Sequence, residues 1–205
     1  LVSAITGRAA GSTYHVTSYA TNSKRTSYGE EMSFTTKIVK PTVLTTSASN
    51  ITASSAKVGG NVTATGGTPV TERGVVWSTS DNPTVEDNKY SIGSGTGTFA
   101  TELSDLEYAT TYYVRAYAIN SMGVSYGDNI CFTTDCVKPT VTTVSPTDIT
   151  GSSAVSGGHV SSDGGANVTA RGVVWSTISN PTTSLSTKTT DGGGGNNIIL
   201  VKDKF

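Results

Sequence analysis

The acidic residues that could bind a metal ion are concentrated in one short stretch. The segment "DNPTVEDNKY" contains Asp81, Glu86 and Asp87. Several carboxylate oxygens at short spacing are the ligands that calcium prefers. The related segment "SNPTTSLSTK", later in the chain, keeps none of these carboxylates. We therefore interpret the acidic stretch as a solvated loop and predict no metal site.

Sulfur and imidazole chemistry is not indicated either. Cys131 and Cys136 stand in "CFTTDC", which lacks the C-x-x-C spacing of zinc and redox sites. We interpret them as small residues near a strand end, either free or locally bridged. His15 and His159 are isolated in the sequence and read as surface residues. No nucleophile–base pair is recognised, so we predict no catalytic residue and no enzyme activity.

Two further patterns resemble sites only superficially. The "GGGG" run at residues 192–195 precedes neither a helix nor the lysine of a phosphate-binding loop, so we read it as a flexible turn. Asn50, Asn61 and Asn167 begin N-x-T sequons, which arise often by chance in a threonine-rich chain. No cofactor is predicted.

One group of residues is a candidate contact surface. Arg115 lies between Tyr113 and Tyr117, and alternation places all three on an outward strand face. Aromatic residues beside an arginine are typical of protein contact surfaces. They are also typical of cross-strand pairs that stabilise an exposed sheet, and we favour this second interpretation. A surface glycan or a protein is the partner that the first interpretation would imply.

Charge and hydropathy exclude two classes of partner. Only 14% of the residues are charged and the formal net charge is −1, so the sequence predicts no nucleic-acid partner. No apolar run approaches the ~20 residues needed to span a bilayer, so we predict no membrane insertion. The chain opens on Leu1 without a methionine, and we expect a processed product or a segment of a longer protein.

The chain repeats itself at a spacing of 98 residues. Residues 41–84 align without a gap on residues 139–182, with 27 of 44 positions identical, including "RGVVWST" in both. The same spacing places residues 12–36 on residues 110–134. A unit of about 100 residues is the size of a β-sandwich domain.

Within one unit, apolar residues alternate with polar ones, which predicts antiparallel strands with one buried face. The inward positions include Val75, Trp77, Tyr112 and Val114, and Trp175 repeats the position of Trp77. The second strand carries a glycine pair, Gly59 and Gly60, and we expect it to leave room for the indole of Trp77. Turn clusters separate seven predicted strands, near residues 42–47, 54–63, 71–79, 88–92, 98–103, 110–120 and 124–134.

The segment "LEYATTYYVRAYAINSMG" at 106–123 resembles the late strands of fibronectin type III domains. The resemblance implies that Tyr112, and Tyr14 at the matching position, form a tyrosine corner with a buried ring and a hydroxyl bonded to backbone upstream. The whole pattern is similar to the fibronectin type III-like repeats of surface and secreted proteins in Bacteroides-type bacteria. The predicted fold is therefore all-β, with tandem fibronectin type III-like sandwiches.

The alignment predicts three regions. Residues 1–38 are the C-terminal half of a repeat, residues 39–136 a complete repeat, and residues 137–205 the N-terminal part of a third with a divergent tail. The tail "NNIILVKDKF" and the first residues "LVSAI" compete for one strand position. We expect either that neighbouring sequence was removed, or that half-repeats of different copies complete one another head to tail in a filament.

The resemblance implies a non-enzymatic structural or adhesive module that is extracellular or on a cell surface. Its expected partners are neighbouring repeats or other copies of itself. Two alternatives stay open: a spacer in a secreted or surface glycan-processing enzyme, and a repeat of a phage fibre or decoration on the virion surface.

Overall fold

The computed structural model describes residues 3–194 and the backbone of residues 198–204. All regular elements in this part of the chain are β-strands. Within the same ranges, no helix is long and apolar enough to cross a membrane. The contacts divide the chain into two compact units. One comprises Ser55–Asp105, Thr111–Thr133 and the chain up to Ile51, and the other comprises Thr52–Ser54, Leu106–Thr110 and the chain from Thr134 onward.

The first unit begins with four short strands that form two ribbons. β1 pairs with β4, from Thr13 opposite Thr35 to Val16 opposite Met32. β2 pairs with β3, with Tyr19 opposite Tyr28. The Tyr14 hydroxyl accepts a hydrogen bond from the Ala9 amide at 2.9 Å, as in a tyrosine corner, but its side chain is only half-buried where a buried ring was expected. The strands are β1 (Thr13–Val16), β2 (Tyr19–Thr21), β3 (Thr26–Tyr28) and β4 (Met32–Thr35).

The same unit continues as a two-layer sandwich of eight strands. The smaller sheet has the order β5-β6-β9, and the larger has the order β11-β10-β7-β8, with β12 also paired to β10. The strands are β5 (Thr42–Ser49), β6 (Ala56–Ala64), β7 (Glu72–Ser78), β8 (Asn88–Gly93), β9 (Gly97–Leu103), β10 (Thr111–Asn120), β11 (Gly123–Tyr126) and β12 (Ile130–Thr133).

The predicted strands are confirmed, except that the last is split in two. Tyr126 pairs with Tyr117 and Ile130 pairs with Val114. The chain advances by four positions from Tyr126 to Ile130 but by only three along β10, so one extra residue forms a bulge between β11 and β12. At this bulge the Ala116 amide donates to Thr45 Oγ1 at 3.0 Å. A Cβ on Gly127 would lie 2.5 Å from the Thr45 amide, so a larger residue would separate the two sheets here.

The core lies between the two sheets and consists of the alternating inward residues. Val58 and Val62 face it from the smaller sheet, while Val75 and Val114 face it from the larger, and all four are almost completely buried. The glycine pair on β6 does not make room for an indole. A Cβ on Gly60 would meet the Ala116 Cβ at 2.4 Å and the Phe99 ring at 3.0 Å, so the glycine accommodates these side chains instead.

The second compact unit contains a three-stranded sheet with the order β13-β14-β15. Residues 171–192 add an irregular antiparallel ribbon in which the Trp175 amide donates to the Thr187 carbonyl at 3.1 Å and the Asp191 amide donates to the Arg171 carbonyl at 2.9 Å. One isolated bridge joins Val174 and Lys188. The strands are β13 (Thr140–Thr147), β14 (Ser153–Ser162) and β15 (Ile198–Lys204).

Replacing Phe132 by alanine tests the position of the core. Its ring is buried and stacks at 5.9 Å on Tyr112, so Phe132→Ala should lower the free energy of unfolding by about 3–5 kcal/mol. The control is Leu44→Ala. Leu44 lies on the exposed face of β5, so its replacement should lower the free energy of unfolding by less than about 1 kcal/mol. Trp77 fluorescence during urea unfolding, in a Trp175→Phe background, measures the free energy of unfolding of both variants. Equal decreases for Phe132→Ala and Leu44→Ala would contradict the assigned core.

Candidate functional site

The candidate contact residues of β10 lie on the outer face of the larger sheet, as alternation predicts. Tyr113 and Arg115 are half-buried there. Tyr117 is on the same face but is fully buried, and so is Val76 on the neighbouring strand. This outer face is therefore partly covered rather than open.

Tyr117 is not part of an exposed contact surface. Its ring lies over Gly74, where a Cβ would come within 2.9 Å of the ring. Its hydroxyl donates to Glu72 Oε1 at 2.5 Å, and Lys89 Nζ lies 3.3 Å from the same oxygen. Sequence reasoning missed this because alternation gives the face of a residue, whereas the glycine opposite determines whether a ring can lie flat on the sheet.

Charge and burial shift two pKa values in this cluster. The hydrogen bond from Tyr117 lowers the pKa of Glu72 below its usual value of 4.5, and the positive charge of Lys89 acts in the same direction. Burial, followed by the hydrogen bond to Glu72, raises the pKa of Tyr117 well above 10. Both shifts favour an ionised Glu72 beside a neutral tyrosine, which is a structural arrangement rather than a proton-transfer pair.

Arg115 is held by its own neighbours. Its guanidinium carbon lies 4.6 Å from the centre of the Tyr126 ring, and Nε donates to the Gly127 carbonyl at 3.1 Å. The Tyr126 hydroxyl accepts from the Val85 amide at 2.9 Å, and Pro83 is fully buried. The loop between β7 and β8 therefore lies against the outer face and covers part of the candidate surface.

The carboxylates of this loop serve its own structure. Asp87 Oδ2 accepts from the Thr84 amide at 2.8 Å, and Asp81 accepts a short hydrogen bond from the Asn129 side chain. Glu86 is exposed. No cluster of three metal-ligating side chains occurs among the residues that the structure describes.

The remaining candidates for chemistry are scattered. His15 on β1 is exposed, and its Nδ1 lies 3.0 Å from Oε1 of Glu31, the residue before β4, so it has a carboxylate neighbour that the sequence did not indicate. His159 is half-buried on β14. Cys131 and Cys136 are free and exposed. The Gly194 amide donates to Val168, whereas Gly195, at the end of the glycine run, lies outside the described residues.

The candidate core residues differ in burial. Val75, Val114 and Tyr112 are buried. Trp77, Trp175 and Tyr14 are only half-buried. Trp77 follows Val75 on β7 and pairs with Val114, so it shares their inward face near the end of the strand.

Both copies of "RGVVWST" contain an arginine whose role the sequence did not reveal. Arg73 Nη1 donates to the carbonyls of Thr96 at 2.5 Å and Gly97 at 3.2 Å, and its guanidinium lies over the Phe99 ring at 5.2 Å. Arg171 Nη1 donates to the Gly194 carbonyl at 3.2 Å. Arg73 therefore fixes the loop that leads into β9, and Arg171 bonds the backbone of the glycine run at the corresponding position.

A glycine pair forms the joint between the first ribbons and the sandwich. Gly66 and Gly67 have φ values of 76° and 91°, a region that side chains disfavour. The Val39 amide donates to the Gly66 carbonyl at 2.8 Å. A Cβ on Gly67 would lie 2.7 Å from the backbone of Ala10. The buried Asn120 side chain donates to the Val39 carbonyl at 2.8 Å and so ties the linker to the sandwich.

The second compact unit contains the same joint 98 residues later. Gly164 and Gly165 have φ values of 72° and 84°, and the Val137 amide donates to the Gly164 carbonyl at 2.8 Å. A Cβ on Gly165 would lie 2.1 Å from the Ala109 side chain. Cys136 Sγ donates to the Gly165 carbonyl at 3.2 Å. The recurring glycine pair was a signal in the sequence, but its contacts lie across a linker and could not be read from it.

No family model and no curated protein matches the chain. Among solved structures, it is similar to the sensor domain of the anti-sigma factor RsgI4 of Pseudobacteroides cellulosolvens, with 18% identity and a TM-score of 0.37 over 49% of this chain and 100% of that one. A segment of titin is similar over 52% of this chain and 36% of its own, with 16% identity and a TM-score of 0.34.

A fibronectin type III domain of the human KIAA0970 protein is similar over 53% of this chain and 82% of its own, with 20% identity and a TM-score of 0.34. These likenesses concern the fold alone. The described sandwich is itself a fibronectin type III-like fold, since it packs a three-stranded sheet on a larger sheet in the strand order given above.

Replacing Tyr117 by phenylalanine tests the buried cluster. The pKa of Glu72 is lower in the folded state than in the unfolded state. The hydrogen bond from Tyr117 therefore stabilises the fold fully at a pH above the unfolded-state pKa, and this stabilisation is lost as pH falls through the folded-state pKa. Tyr117→Phe should therefore cost about 1–2 kcal/mol at pH 7 and less at pH 3. Urea unfolding at both pH values measures this.

The control is Tyr113→Phe, because Tyr113 is half-buried on the same face, whereas the hydroxyl that donates to Glu72 belongs to Tyr117. Its cost should be small and independent of pH. A loss for Tyr117→Phe that does not change between pH 7 and pH 3 would show that Glu72 is not coupled to the tyrosine.

Proposed function

We propose that the protein is a non-enzymatic structural module, in which fibronectin type III-like units are held in series by stiff joints. The observation that carries this proposal is the repeated joint. Equivalent glycine pairs, at Gly66–Gly67 and Gly164–Gly165, accept a hydrogen bond from the linker and pack against the preceding loop. A linker that is hydrogen-bonded on both sides restricts bending, in contrast to a flexible glycine–serine linker.

The proposed setting is extracellular, on a cell surface or in a secreted assembly, where such a module would act in structure or adhesion. Copies that join head to tail would extend the same series beyond one chain. The proposed contacts are thus neighbouring repeats and other copies, while a glycan or protein ligand would have to use the half-covered residues Tyr113 and Arg115.

A spacer role in a larger secreted enzyme is the second candidate, and a phage fibre is the third. Stiff joints would serve all three, because each needs units held at a fixed separation. Among the described residues, Glu72 and Tyr117 have shifted pKa values, and they are bonded to each other in a covered cluster, which supports a structural role for this pair.

Distance measurements between spin labels test the first joint. Labels at Ser33→Cys on β4 and Lys57→Cys on β6, in a Cys131→Ser/Cys136→Ser background diluted with unlabelled protein, should give a narrow distance distribution. Gly67→Asn should broaden it, because a side chain there would enter the backbone of Ala10.

Gly95→Asn is the matched control. Gly95 also has a positive φ, of 76°, but a Cβ there would meet nothing within 4 Å. It introduces a similar backbone strain away from the joint and should leave the distribution narrow. A broad distribution in the protein with native glycines would contradict the stiff joint and with it the proposed function.

A further inference from the structure

A short turn packs against each of the two glycine pairs, at residues 9–12 in the first compact unit and at residues 107–110 in the second. The third residue of each turn has a left-handed backbone: Gly11 has a φ of 63° and Ala109, 98 residues later, has a φ of 49°. Glycine adopts this conformation freely, whereas the Cβ of alanine makes it unfavourable. The second turn must therefore be held in its conformation by other groups.

The glycine pairs lie directly on these turns. A Cβ on Gly11 would lie 2.6 Å from the Gly67 carbonyl oxygen. In the second unit, a Cβ on Gly165 would lie 3.3 Å from the Tyr108 ring, and the Tyr108 hydroxyl is 3.2 Å from Ser162 Oγ. The conformation of each turn thus determines where the glycine pair can lie.

One buried threonine bonds both ends of the second turn. Thr134 Oγ1 donates to the Glu107 carbonyl at 2.6 Å and accepts from the Thr110 amide at 3.0 Å. Beside it, the Ala109 amide donates to the Asp135 carbonyl at 3.1 Å. Thr134 is only 3% exposed, so loss of its hydroxyl would leave buried backbone groups without a partner.

The first turn has the same set of hydrogen bonds. Thr36 Oγ1 donates to the Ala9 carbonyl at 2.6 Å and accepts from the Ser12 amide at 3.0 Å. The Gly11 amide donates to the Lys37 carbonyl at 3.3 Å. Each of these residues lies 98 positions before its counterpart in the second turn. The threonine is therefore a recurring part of the joint.

The threonine and the linker amide anchor the two ends of a very short segment. Thr134 bonds the turn, and three residues later the Val137 amide donates to the Gly164 carbonyl at 2.8 Å. Thr36 and Val39 have the same spacing in the first joint. Because only two residues separate the anchors, the linker has little conformational freedom while both anchors hold.

We propose that Thr36 and Thr134 are the positioning residues of the two joints, and that each hydroxyl holds its turn in the conformation on which the glycine pair packs. This inference rests on the proposed function, because it names the side chains that make the joints stiff. The second joint should depend on its threonine more strongly than the first, since Ala109 needs a support that Gly11 does not need.

Amide hydrogen exchange, measured residue by residue by NMR, tests the second joint. Thr134→Val removes the hydroxyl but keeps a branched side chain, so it should accelerate exchange of the Val137 amide by at least about tenfold. The Ala116 amide of β10, which donates to Thr45 Oγ1, should keep its rate because it lies in the sandwich. Thr134→Ser keeps the hydroxyl and should leave the Val137 rate within about threefold of the native rate.

Thr133→Val is the matched control. The Thr133 hydroxyl is 2.8 Å from Thr111 Oγ1, so its partner lies on β10 rather than in the turn. This variant loses a side-chain hydrogen bond next to Thr134 and should leave the Val137 rate unchanged. Adding Ala109→Gly to Thr134→Val should recover part of the lost protection, because glycine adopts a positive φ without support.

Unchanged Val137 exchange in Thr134→Val would overturn the inference, and so would equal acceleration at Val137 and Ala116. A Thr134→Ser variant that behaves like Thr134→Val, or no recovery on adding Ala109→Gly, would overturn the role of the hydroxyl in holding the turn. Fast Val137 exchange in the protein with native residues would contradict the stiff joint and the proposed function. Slow exchange that Thr134→Val leaves unchanged overturns this inference alone.

Discussion

The pairing of β10 with β7 is the interaction on which the rest of the structure depends. β10 is the central strand of the larger sheet, since it pairs with β7 on one edge and with β11 and β12 on the other. Its inward residues, Val114 and Ala116, are completely buried against the smaller sheet. Without β10 the early strands would form an open sheet with an apolar face, and without β7 the late strands would do the same.

Glycine determines how closely other groups approach this central strand. Gly74 allows the Tyr117 ring to lie on the outer face, Gly60 accommodates Ala116 and Phe99, and Gly127 lets Thr45 reach the Ala116 amide. At each of these positions a Cβ would collide with a backbone or core atom. The glycines of this threonine-rich and serine-rich chain thus set packing distances as well as turns.

Matching residues differ in burial between the sandwich and the strands that precede it. Tyr117 is completely buried in the sandwich, whereas Tyr19, 98 residues earlier, is exposed. At each glycine pair the neighbouring linker residue, Val39 or Val137, donates a hydrogen bond to the first glycine, Gly66 or Gly164.

The sequence by itself determined the strands, their spacing and the inward parity of Val75, Val114 and Tyr112, because alternation and turn residues act locally. Only the tertiary structure decided that Tyr117 is buried on an outward face, that a bulge splits the last strand, and that the divergent tail pairs with β14. These features depend on which residue lies opposite across a sheet, and that neighbour is distant along the chain and is fixed only when the strands pair.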